Sequence, residues 1–202
     1  AIIGGLILAR ALVLTGSEKM SDEVLLSLAS EMEGHPDNVA AALYGGATVA
    51  WQEELPTKFS AHAIHLPVDP RIKAIAFIPA ASLATKKARA MLPESVPFAE
   101  AQRNSTNTAI LTQALTLRPD LLWRATEDFL HQKYRQEAMP ASFALVTKLR
   151  AAGVAAFISG AGPTVLALHT SDQEEIEQLM RAGGAKFEAQ NLEIASRGAS
   201  LL

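Results

Sequence analysis

The residues with the clearest capacity for chemistry lie together in the stretch EMEGHPDNVAAALYGG, positions 31–46. It holds two carboxylates, Glu31 and Glu33, a histidine, and an Asp-Asn pair next to a short apolar run. A Gly and a Pro after Glu33 predict that one helix ends there. Asp37 or Asn38 can supply early polar groups for the next helix, which is predicted over Val39–Tyr44. Backbone N–H groups at such a helix N-terminus favour anions. A capped helix-turn-helix with its charges in water fits the same residues, and the spacing leaves both interpretations open.

A second informative cluster is the run Ser-Gly-Ala-Gly-Pro-Thr at positions 159–164. Two glycines between apolar strands can form a plain hairpin turn. Alternatively, they let the backbone approach a neighbouring loop or a phosphate without a clash of Cβ atoms. The run is not a Walker loop, because no Gly-Lys-Ser/Thr follows and because it leads into a strand instead of a helix.

The composition sets limits on the class of protein. With 49% hydrophobic and 19% charged residues in 202, the chain belongs to the soluble globular class. Its net charge is −3 and it has no basic block, which argues against nucleic acid or an anionic membrane as a partner. There is no cysteine, so disulfides and thiolate metal sites are excluded, and a reducing cytoplasm fits.

The first residues, AIIGGLILARALVL, begin without Met and already within an apolar pattern. This run is shorter than the ~20 residues that a membrane span needs, and Arg10 interrupts it. A signal peptide would carry its basic residues before the apolar run. We therefore expect a buried helix whose beginning is missing, and a chain that is a fragment of a longer protein.

The elements that position the first cluster are two helices and a hairpin. Ser21 or Asp22 opens a helix over Asp22–Glu33, and strands are predicted at Ala47–Gln52 and Phe59–Leu66. The helix is predicted to face the core with an apolar stripe of four residues, Val24, Leu25, Leu28 and Met32. The run PVDP at 67–70 is the best linker, and a domain boundary is placed there.

The second cluster lies in a longer series of elements. These are a strand at Ile72–Pro79, helices at Ala84–Leu92, Phe98–Leu117, Pro119–His131 and Pro140–Ala152, a strand, glycine turn and strand over Gly153–His169, a helix from Ser171-Asp172 to about Arg181, and a strand at Lys186–Ala195. Such an order predicts an α+β sandwich, with an antiparallel sheet and helices on one face.

Four motifs together make the pattern specific: EMEGHPDNVAAALYGG, TKKARAMLP, LHQKYRQEAMP and ISGAGPTVLAL. Their order and spacing resemble the homoserine kinase branch of the GHMP kinase superfamily. The HPDN, ARxxLP and LHQxYR elements point to that branch, whereas SGAGPT marks only the superfamily. In that family a short motif and a Gly-rich phosphate loop ending in Gly-Ser-Ser precede the helix that here begins at Ala1. Both are absent from these 202 residues. This departure from the family pattern concerns whether these residues alone are active, and it does not weaken the resemblance.

The resemblance implies a two-domain α+β fold. Residues 1–69 would be the remainder of an S5-like, nucleotide-binding N-terminal domain, and residues 70–202 a ferredoxin-like C-terminal α+β sandwich. It also implies ATP-dependent phosphorylation of the L-homoserine hydroxyl in threonine biosynthesis, by a cytoplasmic homodimer that uses ATP and Mg²⁺. No nucleic acid or membrane partner is implied.

The resemblance also assigns roles to individual residues. Glu31 matches the carboxylate that holds Mg²⁺, with Glu33 as the second choice. Asn38 matches the catalytic residue that binds and orients the reacting hydroxyl, although an amide is not a useful base at neutral pH. The expected cofactor-binding residues are in the glycine-rich run: Ser159, Gly160 and Gly162.

Two arginines, Arg89 and Arg135, match the pair that clamps the substrate carboxylate, which suits their planar guanidinium groups. Thr85, one helical turn before Arg89, is expected to offer a catalytic hydroxyl near the substrate. Two other functions stay open. One is a GHMP-family kinase for another small hydroxyl substrate, such as mevalonate or a sugar. The other is a non-catalytic binding or dimerisation module on the same scaffold.

Overall fold

The computed structural model of the protein describes residues 1–55, 58–80 and 90–201. They form two compact units: a first unit of Ala1–Val68 with Ala195–Leu202, and a second unit of Asp69–Ile194. The predicted domain division at residues 69 and 70 stays a prediction. The compact units differ from it because the C-terminal segment lies with the first unit, where the Gly46 amide donates to the Ala195 carbonyl at 2.6 Å.

The first unit combines three helices with one antiparallel hairpin. Its elements are α1 (Ile2–Leu12), a helical turn at Gly16–Lys19, α2 (Asp22–Glu33), α3 (Asp37–Tyr44), β1 (Ala47–Leu55) and β2 (Lys58–Leu66). The strands pair in register from Ala47 opposite Leu66 to Leu55 opposite Lys58, which confirms the predicted hairpin. In the described part of the chain, no helix is long and apolar enough to cross a membrane.

Helix α2 has the predicted bounds because residues at both ends stop it. The Ser21 hydroxyl accepts from the Val24 amide at 3.4 Å, and Gly34 closes the helix in the left-handed conformation at φ +92°. The predicted buried face is wrong for three of its four residues. Val24, Leu28 and Met32 are exposed, whereas the core contacts are made by Leu25, Leu26 and Ala29.

The core of the first unit explains that difference. Helix α2 carries two overlapping apolar stripes, and the one that faces α1, α3 and the hairpin is buried. The core residues come from all of these elements: Ile3, Ile7, Leu25, Leu26, Ala29, Val39, Ala40, Leu43 and Ala61. The N-terminal apolar run is helical as predicted, but only part of it is buried, since Leu8 and Leu12 are exposed.

The second unit is built on a four-stranded antiparallel sheet in the order β4-β5-β3-β6. Its longer elements are β3 (Lys73–Pro79), α4 (Phe98–Thr116), α5 (Pro140–Ala151), β4 (Ala155–Ile158), β5 (Val165–His169), α6 (Gln173–Met180) and β6 (Phe187–Leu192). Short helical turns occur at Pro119–Leu121, Leu122–Ala125, Lys133–Ala138 and Arg181–Lys186. The predicted α+β class is confirmed. The predicted helix at Ala84–Leu92 falls mostly outside the described residues.

One face of this sheet forms the core of the second unit. The strands contribute Ile75, Phe77, Ala156, Ile158, Val165 and Ala167, and the helices contribute Leu145, Val146, Leu149 and Ile176. The strand residues share a face because their register pairs Ile75 with Ala167 and Phe77 with Val165. The core therefore lies between the sheet and helices α5 and α6.

The predicted helix at Pro119–His131 is wrong in its second half. Helical structure ends at Ala125, and the chain then turns at Asp128. The Asp128 carboxylate accepts hydrogen bonds from the amides of Leu130, His131 and Gln132 at 2.6–3.2 Å. An aspartate that binds the amides following it offers the backbone an alternative to helical hydrogen bonds, so the helix does not continue.

Candidate active site

In the first unit, the predicted polar cluster surrounds the connection between α2 and α3. Glu31 and Glu33 are exposed in the last turn of α2, and Asp37 and Asn38 are the exposed first two residues of α3. The second helix was predicted to begin at Val39, but it begins two residues earlier, so Asp37 and Asn38 form its first turn and Pro36 takes the N-cap position. Carboxylates at the C-terminal end of a helix add to the negative end of its dipole, so this end of α2 attracts cations.

The first turn of α3 is held by Asp37. Its Oδ1 accepts from the Asn38 amide at 2.7 Å and lies 2.6 Å from Nδ1 of His35. These contacts direct the Asp37 carboxylate towards its own neighbours in the chain. The exposed Asn38 side chain is accessible to a ligand, and its amide can both donate and accept a hydrogen bond.

The protein supplies few ligands for a metal ion near Glu31. Within residues 1–55, 58–80 and 90–201, no group of three or more His, Cys, Asp or Glu side chains could hold a metal. Mg²⁺ keeps several waters and is usually bound through one or two carboxylates plus substrate phosphates. One exposed glutamate fits a site of that kind and does not fit a complete protein cage.

In the second unit, the glycine-rich run is the loop that joins β4 to β5. The Ser159 amide donates to the Thr164 carbonyl at 2.9 Å, and the Gly162 amide donates to the Ser159 carbonyl at 2.9 Å. Gly160 and Gly162 have φ of +55° and +83°. Both lie in the left-handed region, which glycine enters without the penalty that a Cβ brings. The run is thus a hairpin loop whose backbone conformation depends on its glycines.

The LHQKYRQEAMP motif lies directly against this loop, which is a contact that the sequence did not predict. From this region Gln132 accepts from the Ile158 amide at 2.7 Å, and Arg135 Nη1 donates to the Gly160 carbonyl at 3.2 Å. The first turn of α5 adds Ser142, whose hydroxyl donates to the Pro163 carbonyl at 2.6 Å. Side chains of residues 132–142 therefore bond the backbone at three points: just before the loop, within the loop and near the end of the loop.

Arg135, a predicted substrate residue, is only 7% exposed and lies in the helical turn Lys133–Ala138. A buried arginine needs partners for its charge, and the Gly160 carbonyl is one of them. The structure thus joins Arg135 to the predicted cofactor-binding loop.

Asp128 stabilises the turn that leads into this segment. Burial by itself would raise the pKa of Asp128, but hydrogen bonds from the His131 ring and from the amides of Gln132 and His131 lower it to about 2. The carboxylate is therefore ionised at neutral pH and accepts all of these bonds. It lies four residues before Gln132, in the region that holds the loop.

Two predicted site residues, Thr85 and Arg89, lie outside the described residues, and nothing is placed for them. Conversely, sequence reasoning missed three residues that support the loop: Asp128, Gln132 and Ser142. Gln132 is part of the LHQKYRQEAMP motif, so the motif itself was the available signal. Asp128 and Ser142 had no signal beyond the turn and helix-start preferences of their side chains.

Comparison with known proteins finds similarity to one group of enzymes. Residues 111–189 match the family model described as GHMP kinases C terminal. The chain is 48% identical over 202 residues to a homoserine kinase of Streptomyces avermitilis, covering 100% of this chain and 64% of that protein. It is 44% identical over 187 residues to a homoserine kinase of Mycobacterium tuberculosis, covering 92% of this chain and 59% of that protein. The chain thus spans about three fifths of the length of these curated relatives.

Solved structures show the same resemblance in three dimensions. A homoserine kinase from Cytophaga hutchinsonii matches with a TM-score of 0.72 and 26% identity, over 86% of this chain and 58% of that one. A putative homoserine kinase from Listeria monocytogenes matches with a TM-score of 0.65 and 28% identity, over 97% of this chain and 64% of that one.

Proposed function

We propose that the chain is part of a GHMP-family enzyme that transfers the γ-phosphoryl group of ATP to the side-chain hydroxyl of L-homoserine. Residues 111–189 match the GHMP kinases C terminal model, and the similar curated proteins are homoserine kinases. The observation that carries this proposal is the 48% identity to such a relative over all 202 residues. The 202 aligned residues span both polar clusters and the segment that holds the glycine loop.

In the first unit, Glu31 is the proposed ligand of Mg²⁺ and Asn38 the proposed contact of the reacting hydroxyl. Mg²⁺ held there would supply positive charge to offset the negative charge that develops during phosphoryl transfer. The exposed Glu31 carboxylate at the negative end of α2 is suited to hold such a cation. Asn38 orients the substrate oxygen and takes no proton, so catalysis relies on positioning and electrostatics.

In the second unit, Arg135 is a proposed ligand of the substrate carboxylate, with Arg89 as its partner. A guanidinium can bind a carboxylate through two parallel N–H donors, which a lysine cannot reproduce. Ser159, Gly160 and Gly162 are the proposed cofactor-binding residues, because a loop with two glycines lets backbone groups approach a phosphate. Thr85 is proposed to offer a hydroxyl near the substrate.

Partners and location are proposed from the same resemblance. The protein would act on a small molecule as a cytoplasmic homodimer and would bind neither nucleic acid nor a membrane. The net charge of −3 and the lack of cysteine in the 202 residues support this assignment. Light scattering of the purified protein tests the dimer.

The test of function is ADP formation with ATP, Mg²⁺ and L-homoserine, measured for the 202-residue chain and for the full-length protein. This chain contains no glycine-rich loop that ends in Gly-Ser-Ser. We therefore expect homoserine-dependent ADP formation only in the full-length protein. Activity with mevalonate or a sugar instead would support another GHMP-family kinase. A folded full-length protein without any kinase activity would favour a non-catalytic module and overturn the proposal.

A further inference from the structure

The Gln132 side chain satisfies a backbone group that the sheet cannot. Strand β4 is at the edge of the sheet, with β5 as its neighbour. The amide of Ile158, the last residue of β4, donates to Oε1 of Gln132 at 2.7 Å. Ile158 is only 6% exposed, and a buried amide without a partner is energetically costly. The bond therefore fixes the backbone immediately before the glycine loop.

Gln132 is itself held in place by a tight turn. Its own amide donates to Oδ2 of Asp128 at 2.6 Å, and the same carboxylate oxygen accepts from the His131 amide at 2.9 Å. These bonds fix the backbone of Gln132, and the position of its Cα atom relative to the Ile158 amide is therefore also fixed. Asp128, Gln132 and Ile158 thus form a continuous series of hydrogen bonds that leads from the turn to the loop.

We propose that Gln132 is a positioning residue for the loop at residues 159–164 and, through it, for the phosphates of the nucleotide. The inference rests on the proposed function, since it takes this loop to bind the nucleotide. Gln132 acts through the Ile158 amide, at the point where β4 becomes the loop. A shift of that amide changes the direction of the N–H groups that follow it, and backbone N–H groups bind phosphate only when they converge on it.

The experiment uses three variants of the full-length protein. Gln132→Met keeps the length of the side chain but removes the acceptor of the Ile158 amide. Gln132→Glu keeps an oxygen that can accept this bond. Gln136→Met is the matched control, because Gln136 is an exposed residue in the neighbouring turn Lys133–Ala138.

Kinetics separate a positioning role from a general structural one. For Gln132→Met we expect the KM for ATP to rise about tenfold, as for a lost hydrogen bond that leaves a buried donor unpaired. The KM for homoserine should change much less, because the hydrogen bond that is removed is the one to the Ile158 amide at the start of the loop. Gln132→Glu should restore most of the ATP affinity, and Gln136→Met should behave as the unchanged protein. Equal changes in both KM values, or no rescue by glutamate, would overturn the proposal.

A second measurement does not depend on activity. Hydrogen exchange of the amides of Ile158, Ser159 and Gly162 should become faster in Gln132→Met and stay unchanged in Gln136→Met. Faster exchange together with an inactive parent protein would mean that Gln132 holds the loop while the proposed function fails. An active parent protein with unchanged exchange and unchanged KM for ATP would refute the role of Gln132 alone.

Discussion

Alanine substitutions at the two glycines of the loop should have different effects on stability. Gly160 and Gly162 both have positive φ, +55° and +83°, so a Cβ at either position introduces backbone strain. Their surroundings differ. A Cβ on Gly160 would meet no atom within 4 Å, whereas a Cβ on Gly162 would lie 2.7 Å from Sδ of Met139 and 2.9 Å from Cγ2 of Ile158. Met139 and Ile158 are buried core residues, so neither can move aside freely.

The expected loss of stability follows from two effects, the backbone strain and the close contacts of the added Cβ. Left-handed strain for an alanine is about 1–2 kcal/mol and applies at both positions. Overpacking in a well-packed core adds about 1–3 kcal/mol and applies only at Gly162. We therefore expect Gly160→Ala to lower the free energy of unfolding by about 1–2 kcal/mol and Gly162→Ala by about 2–5 kcal/mol.

The assay can be restricted to the second unit. The chain has two tryptophans, and Trp51 lies in the first unit while Trp123 lies in the second. In a Trp51→Phe background, the fluorescence of Trp123 during urea unfolding reports the second unit. Gly162→Ala should unfold at clearly lower urea than Gly160→Ala. Met139→Ala should reduce the difference, because it removes the sulfur atom nearest to the added Cβ. Equal midpoints, or a larger effect at Gly160, would refute the packing argument.

Three further predictions concern charged residues. Asp128→Asn should lower the free energy of unfolding at pH 7 by about 1–2 kcal/mol. The native pKa of Asp128 is held below its value in the unfolded chain, so this effect should disappear as the pH falls from about 4 to about 2. A difference in stability that persists at pH 2 would contradict this reasoning. Arg135→Ala in the full-length protein should raise the KM for homoserine by the equivalent of about 2–4 kcal/mol, whereas Arg124→Ala, an exposed arginine, should not; an unchanged KM would remove Arg135 from the substrate site. Glu31→Gln should lower kcat and weaken the dependence on Mg²⁺ while folding is kept, and the reverse result, an effect for Glu33→Gln only, would move the metal ligand to Glu33.

Local signals in the sequence predicted many elements correctly. Helix α2 has the predicted bounds because Ser21 accepts a hydrogen bond at its start and Gly34 ends it in the left-handed conformation. The hairpin of β1 and β2 and the helix Phe98–Thr116 were predicted within a few residues. These signals are contained in a few neighbouring residues, so no knowledge of the rest of the fold is needed to read them.

Other predictions failed where the local sequence allowed two structures and the rest of the fold selected one of them. The stripe of Val24, Leu28 and Met32 is apolar and correctly spaced, but α2 buries Leu25 and Leu26 on another side. Which stripe is buried depends on where α1, α3 and the hairpin lie, and periodicity carries no such information. Similarly, Asp128 could be a helix residue or the centre of a turn, and in the structure its carboxylate accepts the amides that follow it.

The sequence by itself determined the α+β class, the glycine loop and the resemblance to homoserine kinases, which the comparisons also give. Only the tertiary structure decided what holds that loop. Gln132 and Ile158 are 26 residues apart, Arg135 and Gly160 are 25 apart, and Ser142 and Pro163 are 21 apart. Hydrogen bonds over such separations form only after helix α5 and strands β4 and β5 have packed around the common core. Their partners are backbone groups, which are the same at every residue, so side-chain identities could not indicate where the contacts would form.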